Sequence, residues 1–114
     1  MNMDERVHVV CGHCDAVNRV PRERLAGGGA CGVCKTPLFE ASPIELSESR
    51  LAKHIARSDL PVVVDFWAPW CGPCRAMAPA YDRASAALEP NVRFIKVNTD
   101  DARRVSEQYR VSSI

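Results

Sequence analysis

The sequence predicts an α/β protein with a parallel sheet, preceded by a small cysteine-rich unit. Two observations carry this. From about residue 44 onward, apolar β-branched runs alternate with helix-forming segments, the pattern of strands joined by helical crossovers. All six cysteines, moreover, fall in three Cys-x-x-Cys pairs, two near the front and one in the middle of the chain. The expected division is a first unit over residues 1–40 and a second over 41–114.

Size and composition narrow the classes. With 114 residues and 46% hydrophobic content, there is room for one globular domain and a small appendage. Basic and acidic residues number 15 and 14, and both halves are near neutral. That balance argues against nucleic acid or an anionic membrane as partner. No apolar stretch approaches the roughly 20 residues that a bilayer crossing needs. Residues Met1 to Arg6 lack the basic start and apolar core of a signal peptide. The expected compartment is therefore the cytoplasm, where paired cysteines serve metal binding and catalysis rather than a disulfide framework.

In the first unit, Val7, Val9 and Cys11 alternate with His8 and Val10 as a strand. Cys11-Gly12-His13-Cys14 then turns the chain into a second strand-like run, Ala16 to Pro21. A loop containing Gly27-Gly28-Gly29 leads to Cys31-Gly32-Val33-Cys34. The two Cys-Gly-x-Cys motifs form an internal repeat separated by 16 residues, the two-plus-two spacing of a tetrahedral zinc ribbon. Cys11, Cys14, Cys31 and Cys34 are the predicted ligands of one structural Zn2+, in a closed shell with no catalytic position. Gly12 and Gly32 are expected to let the backbone make the tight turns. So small a unit should have almost no core, leaving the metal to supply much of its folding energy. With four cysteines at hand His8 and His13 are not needed as ligands, and the short basic stretch from Pro21 to Arg24 reads as a solvated tip.

Residues 35–43 read as a stiff linker with two prolines, within which Phe39 packs one unit on the other. A short strand follows at Ile44-Glu45-Leu46. Ser47 is placed to cap a helix from Glu48 to Arg57, with Leu51, Ala52 and Ile55 inward and His54 exposed. The apolar run from Val62 to Ala68 is the central strand. The helix after it, Gly72 to Leu88, carries Pro79 in its interior and should kink there. Val92 to Asn98 reads as another strand and Asp101 to Tyr109 as a further helix.

The chemistry concentrates at the strand-to-helix junction. A thiolate is the nucleophile of disulfide exchange, and the free N–H groups and dipole of a helix N-terminus stabilise it. Cys71 should sit just outside the first turn. Cys74, three residues on, shares its helix face and can close a disulfide with it. Cys71 is thus the expected attacking thiol, with Cys74 resolving the mixed disulfide from a more protected position. Asp65 lies in Val-Val-Val-Asp-Phe-Trp, where a carboxylate is costly to bury ionised, so its pKa should be raised. Near Cys74 it can take the proton of the resolving thiol.

Through Val64-Asp65-Phe66-Trp67-Ala68-Pro69-Trp70-Cys71-Gly72-Pro73-Cys74 and Lys96-Val97-Asn98-Thr99-Asp100, the second unit resembles the thioredoxin family. With the ribbon in front, the chain looks like the family's zinc-containing thioredoxin-2 type. Pro79 also stands where thioredoxins carry a proline. The resemblance implies a thioredoxin-like fold and reduction of disulfides in oxidised client proteins. It also implies recycling by an NADPH-dependent thioredoxin reductase, no nucleotide bound by the chain itself, and a monomer. It places Lys96 beside Asp65 as a tuning charge, and Trp70, Gly72 and Pro73 at the docking face around Cys71. The family pattern continues past Val111-Ser112-Ser113-Ile114 with a cis-proline, two strands and a helix, so the natural protein is expected to be longer than these residues. Two other classes compete with a reductase. One is a zinc protein that senses oxidation through its four ribbon cysteines; the other is a partner-binding module on a thioredoxin-like scaffold.

Overall fold

Hydrophobic alternation in the first unit and long apolar runs in the second become two different sheets. The computed structural model describes residues 6–27 and 29–100. Strands β1 (Arg6–Val10) and β2 (Val17–Pro21) form an antiparallel hairpin, with Val10 opposite Val17 nearest the turn. A 3-10 helix, Arg22–Gly27, follows directly on β2. The second unit contributes β3 (Ile44–Glu45), α1 (Glu48–Arg57), β4 (Val62–Trp67), α2 (Gly72–Leu88) and β5 (Arg93–Asn98). Its three strands are all parallel, as strand-helix alternation requires, in the order β3-β5-β4. The strand expected to be central, β4, is therefore at an edge among the described residues, and β5 takes the middle because it hydrogen-bonds to both neighbours. The helix expected over residues 101–109 lies outside the described residues.

Neighbouring residues of β5 point to opposite faces of the sheet. Ile95 and Val97 join Leu46 and Leu51 in a buried cluster, so α1 covers that face. Phe94 faces the other way and meets Tyr81 of α2 edge to face, with centroids 5.2 Å apart. Of the residues expected inward on α1, only Leu51 is buried; Ala52 and Ile55 are exposed and His54 takes the inward position instead. Ser47 stands at the N-cap, but its side chain makes no capping bond and lies 3.2 Å from the Ser49 hydroxyl.

The first unit has more of a core than its size suggests, because it borrows from the second. Val7, Val9, Val20, Leu25 and Leu38 pack with Cys11 and Cys31, and Leu60, from beyond α1, completes the cluster. Leu38 comes from the linker stretch, which is therefore packed rather than a free spacer. Val10, on the strand face expected to point outward, is buried as well, since its surroundings include the second unit. Its carbonyl, with that of Leu38, accepts from Arg93 Nη2 at 3.1 and 2.9 Å. Arg93 is only 2% exposed, and its guanidinium lies 4.2 Å over the Phe39 ring. Phe39 does pack between the units, through a cation.

Candidate functional site

The front repeat folds into two matching turns. In each, the amide of the first cysteine donates to a residue five on (Cys11 to Ala16, Cys31 to Thr36, both 2.9 Å). Its carbonyl accepts from the residue four on (from Asp15 and Lys35, both 3.0 Å). The left-handed residues that make these turns possible are Asp15 (φ 66°) and Lys35 (φ 68°), immediately after the second cysteine of each pair. Gly12 and Gly32, expected to serve that purpose, do not adopt a positive φ. Gly12 has another reason to be glycine: a Cβ there would stand 2.8 Å from Ile44 Cγ2 of the second unit.

These turns bring the sulfurs of Cys11, Cys14, Cys31 and Cys34 within 4.8 Å of one another. The Cys11–Cys34 and Cys14–Cys31 separations are each 3.6 Å. A tetrahedral ion with metal–sulfur bonds of about 2.3 Å sets its sulfurs about 3.8 Å apart, so the donor set fits. Backbone and side-chain donors surround the sulfurs. His13 N and Val33 N each reach one at 3.4 Å, Asn18 Nδ2 reaches Cys31 at 3.5 Å, and the Thr36 hydroxyl lies 2.9 Å from Cys34. The Cys34 backbone, the Asn18 amide and the Val33 N–H bring the Cys31 thiol down to about 5. Against the pull of the Ala16 backbone, burial and hydrogen bonds with the other three thiols push Cys14 up to about 11. Without an ion the cluster therefore holds its protons unevenly, and metal binding must displace those that remain.

All three histidines sit outside the cluster. His13 is exposed and pairs with Glu40 at 2.8 Å, and His8 pairs with Asp59 at 2.8 Å. His54, expected on the surface, is 1% exposed, with Nε2 2.8 Å from Asp15 Oδ1. Burial lowers the His54 pKa against the pull of Asp15. Arg50 grips the same carboxylate twice at 2.8 Å and donates to the Gly12 carbonyl at 2.7 Å. That bidentate bond, with His54 behind it, brings Asp15 down to about 2. Sequence reading missed Asp15, Arg50 and Arg93. The one available signal was an acid directly following a metal-binding Cys-x-x-Cys.

The second centre lies at the far end of β4. Cys71 is the N-cap of α2 and its sulfur accepts from Cys74 N at 3.2 Å, with Pro73 in the first turn. The two cysteines form a disulfide, with Cα atoms 5.3 Å apart. Their exposures reverse the expectation: Cys71 is 2% exposed and Cys74 partly open. Capping folds the Cys71 sulfur back toward the first turn, within reach of the Cys74 N–H. Gly72 and Pro73 are exposed, and Trp70 is 64% exposed with its indole N–H donating to Asp100 at 3.1 Å. That bond holds a large apolar ring on the surface beside the cysteines.

Asp65 and Lys96 are register partners on β4 and β5. Burial pushes the Asp65 carboxyl above its ordinary value, and the Lys96 charge holds part of that back. The Lys96 ammonium itself lies over the Trp67 ring, 4.8 Å from its centroid. Trp67 is half-buried, and its indole nitrogen is buried without a hydrogen-bond partner among the described residues. A raised folded-state pKa means that the unfolded chain ionises first as pH rises, so Asp65 costs stability above about pH 4 and nothing well below it. Asp65→Asn is therefore expected to raise Tm at pH 7 by a few degrees and to leave it unchanged near pH 3. Thermal melts across that range check this; an equal gain at both ends would contradict the burial argument.

Comparison with known proteins agrees with this geometry. A family model described as Thioredoxin matches residues 42–114, and one described as Thioredoxin 2, N-terminal, matches residues 10–36. Thioredoxin C-3 of Corynebacterium nephridii is 45% identical over 106 residues, spanning 93% of this chain and 72% of that protein. Thioredoxin 1 of Nostoc is 44% identical over 70 residues, 61% of this chain and 65% of that protein. Among solved structures, Schistosoma mansoni thioredoxin superposes with a TM-score of 0.57 at 32% identity, covering 65% of this chain and 68% of that one. Spinach chloroplast thioredoxin f gives 0.60 at 25% identity, covering 65% and 62%. The chain thus spans between 62% and 72% of the length of these four relatives. With a cysteine pair at a helix start on a parallel sheet, a four-cysteine cluster in front of it, and the thioredoxin model matching residues 42–114, this chain belongs to the thioredoxin family.

Proposed function

We propose that this protein reduces disulfides in oxidised client proteins, and that a structural zinc holds the ribbon over residues 1–40 beside the reductase unit over 41–114. The observation that carries the reading is the Cys71–Cys74 pair at the start of α2, with the Cys71 sulfur in the capping position. In the reduced protein the Cys71 thiolate attacks one sulfur of a client disulfide. A Cys71–client bond forms, and the other client sulfur leaves as a thiolate and takes up a proton. Asp65 accepts the proton of Cys74, directly or through a water. The Cys74 thiolate then attacks the Cys71 sulfur, releasing the second client thiolate and leaving Cys71–Cys74 oxidised. Two electrons pass to the client, and a reductase drawing on NADPH restores the dithiol. Lys96 tunes Asp65, while Trp70, Gly72 and Pro73 receive the client chain.

A closed shell of four cysteines leaves zinc no open position, so its part is to hold the turns. Native mass spectrometry should find one zinc per chain, acting as a monomer; no described helix is long and apolar enough to cross a membrane, and the cytoplasm is the proposed location. Cysteine variants test the exchange reading. Cys74→Ser is expected to accumulate clients as mixed disulfides on Cys71, whereas Cys71→Ser should trap none and abolish reduction of a model disulfide protein. Trapping on Cys74 in the Cys71→Ser variant would reverse the roles, a result that the greater exposure of Cys74 makes worth seeking. Unchanged cellular function in a variant lacking both thiols would favour a binding module instead.

A further inference from the structure

We propose that Tyr81 is a positioning residue for this reaction, bolting α2 to the two strands that carry Asp65 and Lys96. The inference rests on the role given to Asp65 above. Tyr81 follows Cys74 by seven residues, two helical turns, and so lies on the same face of α2. Its single O–H is shared between two carbonyls, that of Val63 at 3.0 Å and that of Ile95 at 2.8 Å. Val63 stands two residues before Asp65 on β4, and Ile95 immediately precedes Lys96 on β5. One side chain therefore ties together the three elements that bear Cys74, Asp65 and Lys96.

The rest of α2 makes this tie matter. Among its described residues only Tyr81 and Ser85 are buried, and the Ser85 hydroxyl bonds within the helix, to the Asp82 carbonyl at 2.8 Å. Pro79 removes the backbone bond that would close on the Arg75 carbonyl, loosening the ladder between the cysteine turn and the body of the helix. Tyr81 is the first buried residue after that break. A leucine or phenylalanine would fill the space, but only a phenol also fixes the helix to specific carbonyls. Burial, reinforced by the nearby Asp65 charge, pushes the phenol's pKa up, so it remains a donor throughout the working pH range.

The test uses Tyr81→Phe and Tyr81→Leu in the full protein, with Asp65→Asn as reference. The carbon-13 shift of the Asp65 carboxyl is titrated by NMR, and resolution of a Cys71 mixed disulfide is followed against pH. Freed from its bolt, α2 admits water to Asp65. Both Tyr81 variants should then titrate Asp65 closer to an ordinary carboxylate, and resolution near pH 7 should slow about tenfold, the scale of a small misplacement of reacting groups. A lower Tm with the Asp65 titration and pH profile unchanged would make Tyr81 merely structural and overturn the proposal. Should Asp65→Asn resolve at the normal rate, the role of Asp65 fails, and the titration alone then decides whether Tyr81 positions that carboxyl.

Discussion

Removing the metal from the four-cysteine site should unfold the ribbon and lower the melting temperature of the thioredoxin unit with it. The first half of this follows from chemistry. Four thiols within 4.8 Å repel one another once ionised, and structural zinc contributes on the order of 10 kcal/mol to such small units. The second half follows from Asp15. It is held left-handed in the cysteine turn, directly after Cys14, and its carboxylate is the partner of both Arg50 and His54 on α1. When the turn opens, a histidine that is 1% exposed loses its hydrogen-bond partner inside the protein, and unsatisfied groups of that kind cost about 1–3 kcal/mol each. Leu60 meanwhile loses the cluster it completes. Chelation is therefore expected to reduce the Tm of the whole protein by about 10 °C or more, at about 4–8 °C per kcal/mol for a domain of this size. Circular dichroism melts with and without chelator, and again after zinc is returned, measure this. A thioredoxin unit that melts unchanged without metal would show that the two units are energetically independent.

Arg93→Met should be the most damaging single substitution outside the cysteines. Methionine fills much of the same volume, so the loss isolates the guanidinium. Two buried carbonyls, Val10 and Leu38, would lose their donor, and Phe39 would lose the cation over its ring. Together these amount to roughly 3–5 kcal/mol, or a Tm drop on the order of 15–25 °C. Arg93→Lys should recover only part of this, because a single ammonium cannot match the planar fork that serves both carbonyls and stacks on the ring. The contact joins the start of β5 to strand β1 and the linker, so the variant should also gain amide exchange in β1. Stability within about 1 kcal/mol of the wild type would mean that the buried cation's desolvation cost cancels what its bonds contribute.

Where the signals were local, the sequence was enough. The Trp-Cys-Gly-Pro-Cys stretch named the helix start, and α2 runs over the expected Gly72–Leu88. Periodicity and β-branched runs located β4 and β5, and alternation with helices fixed their parallel pairing. The repeated Cys-Gly-x-Cys identified the four-cysteine cluster, and a carboxylate amid valines announced a raised pKa. Each of these is a property of a few adjacent residues, set by backbone geometry or side-chain solubility. Tertiary structure decided the rest. His54 and Arg93 look like surface residues because polar side chains ordinarily stay in water; they are buried because Asp15, Val10 and Leu38 reach them from 39 to 83 residues away. Gly12 is required by the Ile44 side chain, not by its own turn. That Cys71 is buried and Cys74 partly open is likewise absent from the spacing of the pair. Burial and hydrogen-bond partnership depend on what else arrives in space, and no local pattern records that.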